Sequence, residues 1–340
     1  MVVKELTREA YEAALAAMGP CPPIEQTPVW QDYEATVPGR SFWGYVAFCD
    51  EGETLAVAAL CQYETHGYRY LRAHHAPVWR EAPAAGLEQE ALEALREHVR
   101  ARDRRQVFCR LSVAHELACT RPVLSTRPYD STMVIDLSGG DEQILARMKP
   151  RGRRDVRKAL RESPVTCADE TALALASFDE YYEVMVETGE RDGFTPAPQG
   201  DYETMLGMLG PERCRVFSGR EDGRVVTWSI VTLSGAMAVR YYAASRNDTM
   251  RKHVTDKLVY FECCELGRSG FLEYDLMGLG SDFQPALMGL NEFKTKFAKD
   301  GVRSVPPDRD LPVRGGFYRA LVLAKDLRAK LRRVRQAPGR

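Results

Sequence analysis

The alternation of apolar and polar positions predicts a chain in which β-strands and α-helices follow one another. Two pairs of apolar segments, within 42–63 and 214–233, are each interrupted by a turn that contains glycine, and each pair predicts a β-hairpin. Apolar residues at helical spacing precede or follow each pair, for example over 254–269. Because this succession occurs twice, the sequence predicts an α/β (α+β) fold of two domains with a similar plan.

Length and composition agree with two domains of a soluble protein. The 340 residues are enough for two hydrophobic cores, and we expect the first domain over 1–143 and the second over 144–315. No apolar run is long enough to span a membrane, and the N-terminal segment is charged, unlike a signal peptide. Nine cysteines without a C-x-x-C spacing indicate reduced thiols. We therefore expect a cytoplasmic protein without a metal site.

Two local clusters of positive charge, at 147–161 and at 328–340, contrast with the formal net charge of −1. The segment 147–161 reads RMKPRGRRDVRKALR, and its pattern predicts a helix that begins near Pro150. A basic helix of this kind has two interpretations. It is either a solvated surface or a binding surface for a polyanion, such as the phosphates of tRNA or of a nucleotide-linked substrate.

The most informative segment is 271–301, which begins with a short apolar strand and a glycine-rich turn. Gly278 and Gly280 resemble the start of a dinucleotide-binding turn. However, Phe283 stands where a third glycine would allow a helix to pack closely. We therefore do not expect a dinucleotide-binding site at this turn.

Beyond the turn, aromatic residues and lysines lie next to each other. Phe293 and Phe297 have the spacing of residues that face a core from one side of a helix. A purely structural interpretation explains these two rings. It gives no role to Lys294 and Lys296, although lysines on a surface need none.

The strand, the turn and the aromatic segment resemble the C-terminal signature of the FemABX family, which reads YDLxG followed by GLxxFKxxF. Other segments resemble further motifs of this family in the same order along the chain. They are QTPVW at 26–30, the basic helix at 148–159, TGERDGF at 188–194 with Tyr202 after it, and YYAAS at 241–245. No long charged heptad insertion is present, so the chain is similar to the FemX-like members, which lack a coiled-coil arm.

The resemblance implies both a fold and an activity. Members of the family contain two GNAT-like domains in tandem, and a C-terminal helix, here 316–340, packs back on the first domain. They transfer an amino acid from aminoacyl-tRNA to an amine of a peptide. The implied partners are therefore aminoacyl-tRNA, which serves as a co-substrate, and a peptide acceptor. We expect no other cofactor, and we expect a monomer.

The resemblance also assigns roles to individual residues. It puts the catalytic lysine at Lys294, with Phe293 anchoring the backbone beside it, whereas spacing alone does not decide between Lys294 and Lys296. The residues expected to bind substrate are Trp30, Arg191, Tyr202 and Tyr242. His74 and His75 are added for their residue type and not from the resemblance: they are interpreted as loop residues after the strand at 68–71, and one of them is a candidate to touch substrate or to act as a base. The residues expected to bind tRNA are Arg151, Arg153, Arg154, Arg157 and Lys158.

Several positions depart from the family pattern. Glu34 and Pro198 replace two basic residues that contact the diphosphate of a nucleotide-linked precursor, and Ser112 stands where an acidic residue is frequent. Loss of two such cations should weaken the binding of a diphosphate by more than ~1 kcal/mol per contact. The acceptor is therefore either a peptidoglycan precursor or, as these losses favour, an intermediate of a peptide antibiotic.

Two functions of other classes remain open. An acyl-CoA-dependent N-acyltransferase of the GNAT type needs an R/Q-x-x-G-x-G/A loop that holds pyrophosphate. Here Arg220 and Gly223 match the loop, but Val225 occupies its last position. A non-catalytic binding protein would leave Lys294 dispensable. No nucleophilic triad is visible, which agrees with direct attack of an amine on an ester.

Overall fold

The computed structural model describes residues 1–124, 129–249 and 251–336, and side chains as far as residue 328. The end of the expected C-terminal helix, 337–340, lies outside the described residues. The strands are β1 (Val2–Leu6), β2 (Arg40–Asp50), β3 (Glu53–Thr65), β4 (Tyr68–Ala73), β5 (Val78–Trp79), β6 (Gln106–Ser112), β7 (Arg121–Pro122), β8 (Ser131–Asp136), β9 (Thr166–Asp169), β10 (Cys214–Glu221), β11 (Arg224–Ser234), β12 (Met237–Ser245), β13 (Glu273–Gly278), β14 (Val302–Ser304) and β15 (Asp308–Pro312). The α-helices are α1 (Arg8–Ala16), α2 (Pro28–Glu34), α3 (Ala85–Arg102), α4 (Asp141–Arg147), α5 (Pro150–Glu162), α6 (Thr171–Ala176), α7 (Asp179–Asp192), α8 (Gln199–Leu209), α9 (Val254–Arg268), α10 (Met288–Lys294) and α11 (Gly315–Gln336).

The first of two compact units contains Met1–Gly19, Glu25–Pro128 and Pro306–Arg340. Its strands form one sheet in the order β1-β2-β3-β4-β6-β15-β7, with β5 paired to β3. All strand pairs are antiparallel except β4 with β6. The chain between these two strands includes α3, whose residues Leu92 and Leu95 are fully buried in the core of this unit. The helix thus supplies the crossover that a parallel pair requires.

The C-terminal helix α11 packs on the sheet of the same unit. Tyr318 on this helix lies in an apolar cluster with Val107 and Phe108 of β6. Its hydroxyl donates to Asp310 Oδ2 at 3.0 Å, and Arg110 Nε donates to Asp310 Oδ1 at 2.7 Å. A buried carboxylate therefore links the helix to the sheet. The expected return of the C-terminal helix to the first domain is confirmed.

The second unit contains Pro20–Ile24 and Tyr129–Val305. Its sheet has the order β14-β8-β13-β12-β11-β10-β9, and only β12 and β13 are parallel. Helix α9 connects these two strands. Leu258, Val259 and Leu266 on α9 are fully buried in the core of this unit. The two units therefore share a plan in which a helix crosses between one parallel pair of strands.

Both hairpins predicted from the sequence are present. Glu51 and Gly52 join β2 to β3 with φ angles of 47° and 93°. Asp222 and Gly223 join β10 to β11 with φ angles of 51° and 81°. Positive φ at both central residues gives a turn whose twist matches that of the flanking strands, which explains the glycine at the second position.

The boundary between the units lies after residue 128 and not at 143, and the second unit ends at Val305 and not at 315. The first difference arises because β8 pairs with β13 and β14 of the second sheet. The second arises because β15 pairs with β6 of the first sheet. An apolar strand pattern does not reveal which sheet a strand joins.

Three general properties of the described residues bear on the sequence-based expectations. No helix among them combines the length and apolarity needed to cross a membrane. All nine cysteines are free, and seven of them are buried. Within the same part of the chain, no three His, Cys, Asp or Glu side chains are grouped so that they could hold a metal ion.

One close backbone contact brings α5 against the segment that follows α10. The amide of Lys149 donates to the carbonyl oxygen of Lys296 at 3.1 Å. A Cβ atom on Gly152 would lie 2.1 Å from that same oxygen, so only glycine fits there without a backbone shift.

We expect Gly152→Ala to lower the free energy of unfolding by about 1–3 kcal/mol, the usual cost of overpacking a tight contact. Gly200→Ala in α8 is the matched control, because a Cβ there meets no atom within 4 Å. The control should leave stability unchanged or raise it by up to about 1 kcal/mol. Urea unfolding measures both variants, and equal stability of the two would contradict the close contact.

Candidate active site

The candidate site lies where β13 ends and α10 leads back into the core of the second unit. Met277 has a φ of 62°, which turns the chain at the end of β13. Gly280 N–H donates to Asn291 Oδ1 at 2.7 Å, and Asn291 Nδ2 donates back to Gly280 O at 2.8 Å. A Cβ on Gly280 would collide with the backbone of Met288. This turn, which includes Asn291 that sequence reasoning missed, fixes the direction of α10 and so of Lys294 at its end.

Lys294 occupies a half-buried position without a carboxylate partner. Its Nζ donates to Gly278 O at 2.8 Å, and no ion pair of Lys294 is found in the part of the chain that the structure describes. Burial is the main reason why the pKa of Lys294 falls to about 8, and the positive charge of Arg240 acts in the same direction. The Asp275 carboxylate opposes the shift. Lys294 can therefore be an ammonium or a free amine close to neutral pH.

Lys296, two residues further on, has a different environment. Its side chain is 9% exposed and lies between two carboxylates, at 3.4 Å from Asp155 and in direct contact with Asp256. The ammonium also lies over the rings of Phe293 and Phe297, at 5.0 Å and 5.3 Å from their centroids. These contacts hold Lys296 in the protein interior. Phe293, itself partly buried, packs edge-to-face on Phe297.

A buried polar network, not foreseen from the sequence, lies beside Lys294. Glu262 on α9 is fully buried and accepts hydrogen bonds from three side chains: Arg240 Nε at 3.1 Å, Tyr274 OH at 2.6 Å and Ser229 Oγ at 2.5 Å. Its charge raises the pKa of Arg240 against the effect of burial. The available signal in the sequence was one charged residue within each of two apolar segments: Arg240 in β12 and Glu262 in α9.

The structure brings together two of the residues expected to bind substrate. Tyr242 on β12 packs edge-to-face on Tyr202 of α8 with ring centroids 5.0 Å apart. Tyr202 also stacks on Phe178, and burial raises its pKa to about 12. Arg191, by contrast, donates to the carbonyl oxygen of Ser245 at 2.7 Å and so braces the end of β12. Its position favours a structural role over direct contact with substrate.

Trp30 belongs to the first unit and contributes to a buried hydrogen-bond network there. Its Nε1 donates to Glu34 at 3.3 Å, and Glu34 also accepts from Tyr63 OH at 2.9 Å. Arg40 pairs with the same carboxylate at 2.9 Å. The negative charge that the sequence places at Glu34 is therefore compensated by a guanidinium from the start of β2.

His74 and His75 also lie in the first unit. His74 Nε2 is 3.3 Å from Tyr63 OH, and burial together with the Arg72 charge lowers the pKa of His74 well below its ordinary value. His74 is therefore neutral at physiological pH. His75 has a φ of 51° and lies 3.9 Å from Glu25. His74 thus extends the network that contains Trp30.

Four of the five basic residues expected to bind tRNA are exposed on α5. The exposed residues are Arg151, Arg154, Arg157 and Lys158. Arg157 has no partner in the described part of the chain, whereas Arg151 pairs with Glu292. Arg153 is different, since its Nη1 donates to the carbonyl oxygens of Ala146 and Met148 at the end of α4. Those bonds give Arg153 a capping role.

The segment that partly matches an acyl-CoA loop is a strand hairpin. Arg220 lies at the end of β10 and pairs with Glu170 at 2.6 Å and Glu180 at 2.9 Å. It also donates to Gly223 O at 2.6 Å, across the turn into β11. A pyrophosphate loop instead presents free backbone N–H groups at the start of a helix. This hairpin therefore has neither the backbone geometry nor the free cation for that role.

Comparison with solved structures identifies the fold. FemX matches with a TM-score of 0.74 and 16% sequence identity, over 94% of this chain and 99% of the FemX chain. A tandem GNAT protein from the clavulanic acid biosynthesis pathway, solved without AcCoA, matches with a TM-score of 0.53 and 13% identity, over 92% of this chain and 98% of its own. L-PGS from Bacillus licheniformis matches with a TM-score of 0.52 and 12% identity, over 96% of this chain and 98% of the L-PGS chain.

No family model matches the sequence, and no curated protein does. The structural matches confirm the expected fold of two GNAT-like domains in tandem, and they confirm the FemX-like resemblance at the level of the fold.

The lowered pKa of Lys294 predicts how its charge affects stability. Between about pH 8 and the ordinary lysine value of 10.5, the unfolded chain binds a proton that the folded chain has released. Stability should therefore rise with pH in this window, because the penalty for burying the ammonium is relieved.

The difference in unfolding free energy between the wild type and Lys294→Met, measured by urea unfolding at several pH values, should show this rise. Lys294→Arg keeps a charge that does not titrate between about pH 8 and 10.5. As with Lys294→Met, its unfolding free energy should therefore lack the rise with pH that the wild type shows. A difference curve that is flat from about pH 8 to 10.5 would show that Lys294 titrates normally.

Proposed function

We propose that this protein transfers an amino acid from aminoacyl-tRNA to an amine of a peptide acceptor and forms an amide bond. The observation that carries the proposal is the position of Lys294. It is a desolvated lysine that has no ion pair with a carboxylate among the described residues. It follows Phe293 at the end of α10, in a chain with the fold of FemX. A lysine that served only stability would be expected to be paired or solvated.

The chemistry needs little beyond positioning and charge stabilisation. The acceptor amine attacks the ester carbonyl of the aminoacyl group, and a tetrahedral oxyanion forms. The attack itself makes the C–N bond. Collapse of the intermediate then restores the carbonyl, breaks the ester C–O bond and releases the ribose oxygen, which takes up a proton as the former amine loses one. The Lys294 ammonium stabilises the oxyanion or donates a proton to the leaving oxygen. A pKa of about 8 suits a group that gives up and regains a proton near neutral pH.

The acceptor in this proposal is a peptide that does not depend on a diphosphate for binding. Pro198 contributes no charge, and Arg40 is already paired with Glu34 at 2.9 Å. These features favour an intermediate of a peptide antibiotic over a nucleotide-linked peptidoglycan precursor, although the transfer chemistry is the same for both.

An acyl-CoA-dependent N-acyltransferase is the second candidate function. It is favoured by the similarity to a tandem GNAT protein whose structure was solved without AcCoA. Against it stands the Arg220 hairpin, whose guanidinium is held by Glu170 and Glu180. Two of the cations before α9 are also engaged, since Arg246 pairs with Glu187 and Lys252 with Glu221.

A transfer assay with a library of short peptides separates the candidates. We expect label from a mixture of aminoacylated tRNAs to enter a peptide amide, and we expect RNase treatment of the charged tRNA to abolish the transfer. Transfer that persists after RNase treatment, or that proceeds from acetyl-CoA alone, would refute the proposal. Absence of both reactions would favour a binding protein.

Lys294→Met should lower kcat of the transfer by ~10²–10³ with little change in KM, because the charge acts mainly in the transition state. The fold should survive, since the substitution removes a desolvated charge. Lys299→Met, at an exposed position nearby, is the matched control and should keep full activity. Full activity of Lys294→Met would remove Lys294 from the mechanism.

Lys296→Met should behave in the opposite way. It leaves Asp155 and Asp256 without their common partner, so we expect a loss of about 3–5 kcal/mol of stability. Thermal unfolding measures the loss. Stability equal to that of the wild type would contradict the interior ion pair described for Lys296.

The exposed face of α5 is proposed to bind tRNA phosphates. Arg157→Glu should raise KM for aminoacyl-tRNA and reduce the slope of log affinity against log salt by about 1, as loss of one phosphate contact does. Arg213→Glu, at an exposed arginine before β10, should change neither. Arg153→Glu should act on stability, because Arg153 caps α4. An unchanged salt slope in Arg157→Glu would make this face an ordinary solvated surface.

A further inference from the structure

Arg240 is a buried cation that the transfer chemistry described so far does not use. Its side chain is 9% exposed, and it lies on β12, next to β13 whose last residue, Gly278, accepts the hydrogen bond from Lys294. Burying a guanidinium is costly unless its charge and its N–H groups are satisfied. Among the residues that the structure describes, one carboxylate, Glu262, pairs with it at 3.1 Å.

The pairing with Glu262 uses one edge of the guanidinium. Arg240 donates through Nε to Glu262 Oε2, and the Tyr274 hydroxyl, which donates to the same oxygen, also interacts with the guanidinium. No hydrogen bond from Nη1 or Nη2 to another group is found in the part of the chain that the structure describes. Neither Nη atom is among the buried polar atoms that lack a partner, so both retain access to solvent. The outer fork of the guanidinium is therefore available to a ligand.

Glu262 does not neutralise this fork completely. It also accepts from Tyr274 and Ser229, so its negative charge is shared among three donors. The remaining field of Arg240 reaches Lys294, where it is the largest cause of the lowered pKa after burial. Arg240 on β12 and the Gly278 carbonyl that receives Lys294 on the paired strand β13 bring the two cations close together. An anionic ligand between them would add to the attraction that the Asp275 carboxylate already exerts on Lys294.

We propose that Arg240 and Lys294 form a binding subsite for a carboxylate of the peptide acceptor. The outer fork of a guanidinium has two parallel N–H bonds, which match the two oxygens of a carboxylate. Glu262, Tyr274 and Ser229 hold the fork in place. The identity of the ligand rests on the proposed function, whereas the presence of a carboxylate subsite does not.

Acetate is the probe, and acetamide is its neutral isostere. The rate at which a small amine-reactive reagent acylates Lys294 in the intact protein is followed by peptide mass spectrometry. A carboxylate bound beside Lys294 favours the ammonium, so we expect saturating acetate to slow the acylation about tenfold below pH 8. Acetamide should have no effect.

Two variants assign the effect to Arg240. Glu262→Gln keeps Arg240 and the acceptor for Ser229, and it should retain protection by acetate. Glu262→Gln combined with Arg240→Met leaves no buried orphan charge, and it should lose the protection. Arg303→Met, at an arginine paired with Glu273, is the control and should behave as the wild type.

The outcomes separate the subsite from the proposed function. Acetate protection that is absent in the wild type, or that persists in the double variant, overturns the subsite even if aminoacyl transfer is observed. Acetate protection that depends on Arg240 supports the subsite even if no transfer occurs, and the proposed function alone then fails. If both hold, KM for a peptide acceptor should rise roughly 10- to 100-fold in the double variant, the ratio expected for a lost hydrogen bond to a charged group.

Discussion

The ion pairs of Lys296 with Asp155 and Asp256 hold the candidate site in its working arrangement. They tie the short helical turn Thr295–Phe297 to α5 and α9, and the contact between Gly152 and the Lys296 carbonyl adds a second tie to α5. Removing one member of such a buried group leaves an unpaired charge, at a cost of about 3–5 kcal/mol. The lysine that fixes the backbone is therefore not the lysine that we propose takes part in the transfer chemistry.

Lys294, by contrast, lies in the electric field of another positive charge. Asn291 sets the direction of α10. The Nζ of Lys294 donates to a backbone carbonyl oxygen, whereas the Nζ of Lys296 contacts carboxylates. Arg240 adds positive charge from the neighbouring strand, and Glu262 holds that guanidinium. Strain of this electrostatic kind is tolerated where a substrate will relieve it, which is the usual reason for perturbed pKa values at functional sites.

The sequence could predict much of the fold and less of the site. The hairpins followed from apolar segments around Glu51-Gly52 and Asp222-Gly223, because local turn chemistry determines them. The domain boundary could not be predicted in this way, because it depends on which strands pair, and these pairings join residues far apart along the chain. Spacing singled out the pair Lys294 and Lys296 but could not rank them, because the acidic partners of Lys296 lie 141 and 40 positions away along the chain. Arg240 had no local signal except a charge within an apolar strand.

The division of roles between the two lysines can be measured in a single experiment. The folded wild-type protein is exposed to a small amine-reactive reagent over a range of pH, and the modification of each lysine is read from peptide masses. We expect Lys294 to gain reactivity as the pH passes about 8 and Lys296 to stay unmodified at every pH at which the protein remains folded. If Lys296 reacts as fast as exposed Lys299, or if Lys294 becomes reactive only near 10.5, the central assignment is wrong.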